Sequence, residues 1–285
     1  MAIYTLTPAQ LRGAGVYNSF EIPAGGGTPS FSNVNSFNFD GVDDYFTGVG
    51  TYSELDGQSK ATFSFWIKFD FNQNSFPIWV RSASDRSMAA VVYTTGMLRL
   101  QVANSGYYAT TGTGILQSDT WHHVLMCVDL SLAYSQRGKI FVDGQDETTG
   151  NNINVSSIPS SPYPLYIGTA YLGAGRTNEY GGLMDEVAIW SGTDLRNDVA
   201  TIYNNGTPTD LNNNGLTAPT TWQRMGEDAT WNGATWTMTD VNGGYTNRSI
   251  NMVEANRTTD VPTPFTNTKS ILLDGVDDYV DTSTY

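Results

Sequence analysis

The chain has 285 residues, which is long enough for one large domain or two smaller ones, each with a hydrophobic core. It carries 28 Asp and Glu residues against 14 Lys and Arg residues, so its formal net charge is −14. Such an acidic surface repels phosphate backbones and anionic membranes, which argues against nucleic-acid binding. Hydrophobic residues make up 39% and charged residues 15%, and this composition is typical of a β-rich protein with many turns.

The cysteine content and the apolar runs give further information on the class of protein. The single cysteine, Cys127, lies in the apolar run "WHHVLMCVDL" and is expected to be a buried thiol. No apolar run approaches the 18 residues of a membrane-spanning helix, so no membrane insertion is expected. The first residues, "MAIYTLTPAQL", lack the basic start and long apolar core of a signal peptide.

In chain order, residues 1–33 are predicted to be a leader or attachment segment, because "PAGGGTPSFSN" is rich in Gly, Pro and Ser. Residues 34–206 indicate β-structure. In "ATFSFWIKFD", Phe63, Phe65 and Ile67 alternate with other residues, so they share one face of a strand. Similar short runs, separated by turn signals, predict an all-β, antiparallel sandwich of two sheets. Near its C-terminal end, "DLRNDVATIYNNG" predicts one short helix that begins at Asp194.

The remaining residues are interpreted as extended terminal segments. Residues 207–268 are predicted to be a linker or arm, in which the segment with tryptophans in a polar setting is either a β-hairpin or an extended arm that docks on another surface. Residues 269–285 contain "LDGVDDYV", a near copy of "FDGVDDYF" that begins at Phe39. Flanking residues also match at the same offset, as an internal repeat requires. Residues 269–285 are therefore predicted to be the first strand of a second, incomplete jelly roll.

The first "DGVDDY" copy is a candidate metal site. Asp40, Asp43 and Asp44 lie within five residues and repel one another unless solvent, backbone N–H groups or a cation compensates. Calcium is one interpretation, since Ca²⁺ is bound by several carboxylate and carbonyl oxygens. The alternative is a hairpin turn in which the aspartates accept local backbone hydrogen bonds.

A second acidic position, Asp185 in "GGLMDEVAIW", strengthens the calcium interpretation. Alternation predicts that Asp185 shares the inward face with Val187 and Ile189, where a carboxylate needs donors or a cation. If the first and last strands of the sandwich are neighbours, Asp185 approaches the acidic turn. The predicted calcium ligands are thus Asp40, Asp43, Asp44 and Asp185.

Aromatic residues near strand ends, in loops or on polar faces are the candidate ligand-binding residues. Aromatic rings stack on the apolar faces of sugars, although Trp and Tyr also pack into protein cores. The candidates are Trp66, Trp79, Tyr107, Tyr108 and Tyr171.

Catalytic motifs are missing from the sequence. It contains neither a "GxSxG" nucleophile elbow nor a phosphate-binding "GxxxxGK" loop, and no Glu-x-Asp-x-x-Glu strand of the type found in sandwich glycosidases. His122 and His123 are adjacent in a predicted strand and point to opposite faces, so they cannot bind one metal together. A non-catalytic protein is expected, and a glycan hydrolase is the less favoured alternative.

Several segments resemble one known family when they are taken in order. The segments "SFNFDGVDDYF", "FSFWIKFD", "DTWHHVLMCVD", "GKIFVDGQ" and "GGLMDEVAIWSGTDLRNDVATIYNNG" resemble the laminin-G-like jelly-roll domain of the concanavalin A-like lectin/glucanase superfamily, over residues 34–206. The resemblance implies a two-sheet antiparallel jelly roll that binds glycans or other surface ligands without catalysis, frequently with structural calcium. It also implies Asp40, Asp43, Asp44 and Asp185 as ligand donors for that calcium.

The leader and the "WQRMGEDATWNG" segment resemble parts of multidomain proteins of marine phages and bacteria. The expected protein is therefore a surface or virion-appendage protein, such as a fibre, spike or head decoration, at an extracellular or virion surface. Its expected partners are a cell-surface or extracellular glycan, other virion or surface proteins, and further copies of itself in a homo-oligomer. The alternative is a purely architectural spacer in an oligomeric assembly, with no ligand.

Overall fold

The computed structural model describes residues 31–172 and 175–263. The chain divides into two units, Met1–Ser32 and Asn33–Tyr285, and every element below belongs to the second. Within the described residues, no helix is both long enough and apolar enough to cross a membrane.

The described residues form twenty strands. The first ten are β1 (Ser36–Asp40), β2 (Tyr45–Gly48), β3 (Lys60–Phe69), β4 (Ser75–Arg81), β5 (Arg86–Val92), β6 (Leu98–Val102), β7 (Asn104–Thr111), β8 (His122–Asp129), β9 (Gly138–Val142) and β10 (Gln145–Asp146). The others are β11 (Thr148–Asn151), β12 (Leu165–Ile167), β13 (Ala170–Leu172), β14 (Gly175–Thr177), β15 (Gly181–Ser191), β16 (Thr221–Gln223), β17 (Ala229–Trp231), β18 (Trp236–Thr239), β19 (Thr246–Ile250) and β20 (Arg257–Thr258).

In the described part of the chain, these strands form two large sheets and one small one. Sheet A has the order β10-β9-β8-β3-β15-β1-β20, and β16 also pairs with β15. Sheet B has the order β11-β7-β6-β5-β4-β12-β2-β19-β18-β17. Strands β13 and β14 pair separately as a hairpin. The predicted all-β fold of two antiparallel sheets is confirmed.

The core lies between the two sheets, as the alternation in the sequence predicts. Phe63, Phe65 and Ile67 of β3 are buried in one cluster with Ile78 and Val80 of β4 in sheet B. Burying large apolar side chains from two facing sheets is the main stabilising contribution in such a sandwich.

Residues 207–263 are integrated into this sandwich. Strand β16 pairs with β15, β20 pairs with β1, and β19 joins sheet B beside β2. Trp236 of β18 is 2% exposed and its ring lies 5.3 Å from that of Phe37, centroid to centroid. The linker interpretation of this segment is therefore corrected for its described residues, because their strands complete both sheets. The division of the chain into domains otherwise stays a prediction, and residues 269–285 lie outside the described residues.

The predicted short helix is present but begins later than expected. Helix α1 spans Val199–Tyr203, and a 3-10 turn follows over Asn204–Gly206. Asp194 does not cap the helix, since its carboxylate pairs with Arg196 at 2.6 Å. The segment around α1 covers the outer face of sheet A, where Leu195, Ile202 and Leu211 are at most 4% exposed.

Candidate functional site

The outer face of sheet B, which points away from the core, is the first candidate site. Ile78 and Val80 of β4 belong to the core, so alternation turns Trp79 and Arg81 outward. Trp79 lies in a second cluster on this outer face with Phe76 and Tyr166, and the partly buried Tyr45, Tyr93 and Tyr171 pack against that cluster.

Arginines lie over the aromatic rings of this face. The Arg99 guanidinium carbon is 4.1 Å from the Tyr108 ring centroid and 5.1 Å from that of Tyr93. The Arg81 guanidinium carbon is 4.0 Å from the Tyr163 centroid and 5.4 Å from the Tyr171 centroid. Cation–π contacts of this kind hold a guanidinium in place while leaving its N–H edge able to donate.

Arg86 is the most buried arginine of this face. It is 5% exposed, lies 4.6 Å from the Trp79 ring centroid and forms an ion pair with Asp85 at 2.9 Å. It also donates to Gln101 on the neighbouring β6. These contacts make Arg86 a structural anchor that holds Trp79 in place.

The five predicted ligand-binding aromatics do not share one location. Trp79, Tyr108 and Tyr171 contribute to the outer face of sheet B, and Tyr107 precedes Tyr108 in β7 as a half-buried residue. Trp79 is fully buried, so it supports the face rather than forming its surface.

Trp66 belongs to the opposite side of the molecule. Its ring is 5% exposed and stacks on Tyr203 of α1, with a centroid distance of 6.1 Å. The expectation that Trp66 occupies an exposed polar face is therefore corrected, because α1 covers that face of sheet A. Sequence alternation identifies the two faces of β3, but it cannot show that a later segment covers one of them.

The acidic turn at Asp40 is the second candidate site. The Asp40 Oδ1 atom accepts hydrogen bonds from the backbone N–H groups of Val42, Asp43 and Asp44, at 2.8, 3.1 and 3.3 Å. Burial raises the pKa of Asp40, but these backbone donors outweigh burial and lower the pKa overall. The turn thus shows the local backbone bonding that was the alternative to calcium.

Asp44 closes the same turn from a buried position. Its Oδ2 atom accepts hydrogen bonds from the Asp40 backbone N–H at 3.2 Å and from the Asn256 side-chain amide at 2.8 Å. Burial, and then the Asp40 charge, raise the pKa of Asp44 to about 6. Both carboxylates therefore have protein donors on the oxygens that face the turn.

The predicted approach of Asp185 to this turn does not occur. Strands β1 and β15 are neighbours, as expected, but the antiparallel register pairs Asp40 with Gly181. Asp185 lies four residues further along β15, which corresponds to roughly 13 Å at the usual rise of a strand. The four predicted calcium ligands therefore fall into two separate groups.

A β-bulge also changes the face to which Asp185 points. Asp185 pairs with Trp66, whereas Ala188 pairs with Ser64, so β15 contains one extra residue here. Glu186 accommodates the bulge with a φ of 50°. Asp185 therefore shares the outer face of sheet A with Trp66, and the predicted inward orientation is wrong. Period-two alternation fails at this point because the bulge inserts a residue that no sequence pattern marks.

Asp185 and Glu186, which are buried, form an acidic cluster with the half-buried Glu227, and each offers a carboxylate oxygen within 4.8 Å of the others. Asp185 Oδ2 accepts from the Asn33 amide at 2.8 Å, and Glu186 Oε2 accepts from the Trp222 indole at 2.6 Å. Arg224 pairs with Glu186 at 3.2 Å. The cluster lies where β15 passes from pairing with β1 to pairing with β16. Sequence reasoning identified Asp185 but missed Glu186 and Glu227.

Two oxygens of this site lack a donor. Glu227 Oε1 accepts from the backbone N–H groups of Val34 and Asn35 at 2.6 and 2.7 Å, but Glu227 Oε2 is buried and accepts no hydrogen bond from the part of the chain that the structure describes. Asn33 Oδ1 is likewise buried and has no donor among the described residues. Burial, and then the neighbouring Glu186 charge, raise the pKa of Asp185 well above its usual value. Burial also raises the pKa of Glu186 to about 8.

The donor set of the acidic cluster fits a hard divalent cation. It consists of carboxylate and amide oxygens, which Ca²⁺ prefers, and it has more negative charge than Arg224 can neutralise. Uncompensated carboxylates in a buried site must take up protons or bind a cation. Asp185, Glu186, Glu227 and Asn33 are therefore the residues that could hold calcium.

Ser64 and His123 form a buried pair beneath α1. The Ser64 hydroxyl and His123 Nε2 are 2.9 Å apart, next to a cavity of about 10 Å³ that has room for one water. Burial lowers the pKa of His123 to about 4. A nucleophilic serine requires a base that a third group orients, yet His123 Nδ1 has no hydrogen-bond partner among the described residues. The pair therefore resembles a packed structural contact more than a catalytic one.

The fold is a two-sheet antiparallel sandwich, and the sequence comparison agrees with it. The chain belongs to a laminin-G domain family described as the Concanavalin A-like lectin/glucanases superfamily, whose sequence profile matches residues 40–200. No match to a curated protein sequence was found.

One solved structure shares this fold at low sequence identity, and two others are similar to the chain with lower TM-scores. A candidate carbohydrate-binding protein from Bacteroides ovatus is 16% identical with a TM-score of 0.59, and the alignment covers 81% of this chain and 62% of that one. The CBM40 of a Ruminococcus gnavus sialidase, bound to sialyllactose, is 10% identical with a TM-score of 0.44, covering 60% and 98%. Mouse laminin alpha1 domains LG4-5 are 15% identical with a TM-score of 0.41, covering 54% and 40%.

Proposed function

We propose that this protein is a non-catalytic glycan-binding module whose binding surface is the outer face of sheet B. The observation that carries the proposal is the set of half-buried aromatic residues on this face, around Tyr93, Tyr108 and Tyr171. The corresponding face of sheet A is covered by the segment around α1, so it offers no comparable surface. The similarity to a candidate carbohydrate-binding protein from B. ovatus supports the proposal at the level of fold.

The buried acidic cluster supplies a calcium site in this proposal. Asp185, Glu186, Glu227 and Asn33 would hold the ion where β15 meets the segment before β1 and the segment after β16. The ion would neutralise the carboxylates and tie three chain segments together. Its role is structural, because the cluster lies in sheet A and not on the aromatic face of sheet B.

The sequence resemblance supports a location and an assembly. We propose an extracellular or virion surface, in a fibre, spike or head decoration that contacts other surface proteins as a homo-oligomer. Light scattering of the purified chain tests this part, since a monomer at working concentration would contradict the oligomer. Stable oligomers without glycan binding would instead support the architectural spacer.

Alanine substitutions on sheet B test the binding surface. Tyr108→Ala and Tyr171→Ala each remove a half-buried ring from the face, and we expect each to weaken glycan binding at least fivefold on a glycan array followed by calorimetry. Tyr134→Ala is the matched control, because Tyr134 is 57% exposed and lies in a different region, next to Arg137. An equal loss of glycan affinity in all three variants, or no loss in any of them, would contradict the proposed surface. Released reducing ends would show hydrolysis and contradict the non-catalytic role.

A further inference from the structure

We propose that the outer face of sheet B selects acidic glycans, those with carboxylate or sulfate groups, through the guanidinium groups of Arg81 and Arg99. The inference rests on the proposed glycan-binding function and specifies its ligand class. It follows from the distribution of charge between the sheets, the partners of the arginines and their spacing.

Charge is distributed very unevenly between the two sheets. The ten strands that the described residues contribute to sheet B contain no Asp or Glu, yet they contain Arg81, Arg86, Arg99 and Arg248. Sheet A strands contain four basic residues as well, but these stand beside five acidic ones, among them Asp129, Asp185 and Glu186. In a chain with twice as many acidic as basic residues, a sheet without carboxylates forms a local positive surface that attracts anions.

Three of these arginines, Arg81, Arg99 and Arg248, have no carboxylate partner among the described residues, and the first two are held over aromatic rings. Other basic residues do pair with acids, as Arg196 does with Asp194 and Lys60 with Asp129. Among the residues that the structure describes, Arg81 and Arg99 form no such pair and donate no hydrogen bond. The Arg99 Nε is buried and has no hydrogen-bond partner. A guanidinium that is held in position and unpaired is a ready donor for a carboxylate or sulfate.

The stacking geometry favours charge recognition over stacking of a neutral sugar. The rings of Tyr108 and Tyr163 already have a guanidinium about 4 Å from their centroids, at 4.1 and 4.0 Å. One face of each of these rings is therefore covered by arginine, and the groups presented to a ligand include guanidinium edges as well as aromatic rings. Arginine edges bind planar or tetrahedral oxyanions in a bidentate manner, which neutral hydroxyl groups cannot reproduce.

The spacing of the two arginines indicates an extended ligand. Arg81 lies in β4 and Arg99 in β6, which are separated by β5. Arg99 pairs with Val91, whereas Arg81 pairs with Arg86 at the other end of β5. Two strand spacings and five residues along the strand place their Cα atoms roughly 19 Å apart. Two anionic groups at this separation require an oligosaccharide rather than a single sugar.

A panel of matched glycan pairs tests the inference by calorimetry. Each pair has one backbone with and without charge: hexagalacturonate against its methyl ester, and dextran sulfate against dextran. We expect the acidic members of both pairs to bind at least tenfold more tightly, with affinity that falls as salt is raised. In the double variant Arg81→Gln and Arg99→Gln, binding of the acidic members should fall at least tenfold while the unfolding midpoint is retained. Arg257→Gln is the matched control, because Arg257 also lies over an aromatic ring, 4.9 Å from the Trp236 centroid, but belongs to sheet A.

The outcomes separate the inference from the function on which it rests. Equal affinity for acidic and neutral members would overturn the acidic preference and leave the glycan-binding function standing. Failure of every glycan in the panel to bind would overturn both. Binding of oligothymidylate as tight as that of the acidic glycans, and equally sensitive to the double substitution, would assign the face to single-stranded nucleic acid and overturn the inference.

Discussion

Calcium is expected to raise the unfolding midpoint of this protein strongly at pH 8 and only slightly at pH 5. Without a cation, the folded state favours protonated carboxyl groups in the buried cluster, since burial raises the pKa of Glu186 to about 8 and that of Asp185 well above its usual value. In the unfolded chain these groups lose their protons near their model values of 4.5 and 3.8. Between those pH values and about 8 the folded state therefore binds more protons than the unfolded state, and the free energy of unfolding falls as the pH rises.

The size of this effect should be several kcal/mol, because each unit of pKa difference corresponds to about 1.4 kcal/mol. Calcium takes the place of the protons, so it restores stability at pH 8 and competes with protons at pH 5. Thermal unfolding with calcium or with chelator, at both pH values, measures the prediction directly.

Variants locate the ion within the molecule. Glu227→Gln removes the carboxylate whose Oε2 lacks a donor and should abolish the calcium response. Asp43→Asn, in the acidic turn, is the matched control and should retain it, because the other turn aspartates already accept backbone hydrogen bonds. A response lost in Asp43→Asn and kept in Glu227→Gln would place the ion at the turn and contradict the assignment.

Removal of the segment after Gly206 is expected to abolish cooperative folding. A chain that ends at Gly206 should not fold cooperatively, because β16, β19 and β20 would be missing from both sheets. The truncation also removes large buried side chains, namely Trp222, Met225, Trp236, Met238 and Met252. Each large-to-small change at such a position costs about 2–5 kcal/mol, so their joint loss exceeds the 5–15 kcal/mol stability of an ordinary domain.

A single substitution in the same segment should lower the stability without abolishing folding. Trp236→Ala should lower the free energy of unfolding by about 3–5 kcal/mol, since the ring contacts Phe37 and the indole N–H donates to the Val253 carbonyl at 2.9 Å. Val253→Ala is the control, because this side chain is 58% exposed and should change stability by less than about 0.5 kcal/mol. Circular dichroism and denaturant unfolding measure both. A truncated chain with a native-like cooperative transition would restore the interpretation of residues 207–268 as a linker.

The alternation of apolar residues along the chain was sufficient to predict the two-sheet architecture of residues 34–206. Alternation in β3 correctly gave Phe63, Phe65 and Ile67 as core residues, because each strand buries one face against the opposite sheet. It was not sufficient for residues 207–263, whose strands pair with partners far away in sequence, such as β20 with β1. A polar strand that completes a sheet edge has the same composition as a linker, so only the pairing distinguishes them.

The candidate site residues, too, could be predicted only in part from the sequence. Asp185 was identified as a buried carboxylate that needs compensation, but the bulge at Glu186 reversed its direction and brought Glu227 and Asn33 to it. The arginine-aromatic face was only partly recognised, through Tyr108 and Tyr171. The arginines that lie over these rings come from other strands. The combination of arginines and aromatic rings can therefore be recognised only when it is known which strands share a sheet.

Glycan is proposed to bind to the outer face of sheet B. Hydrogen–deuterium exchange, with and without the tightest-binding oligosaccharide of the panel, tests it most directly. We expect protection in β4, β6 and β7, around Arg81, Arg99 and Tyr108, with little change in β8 and β9 of sheet A. Protection confined to sheet A or to the segment around α1 would contradict it.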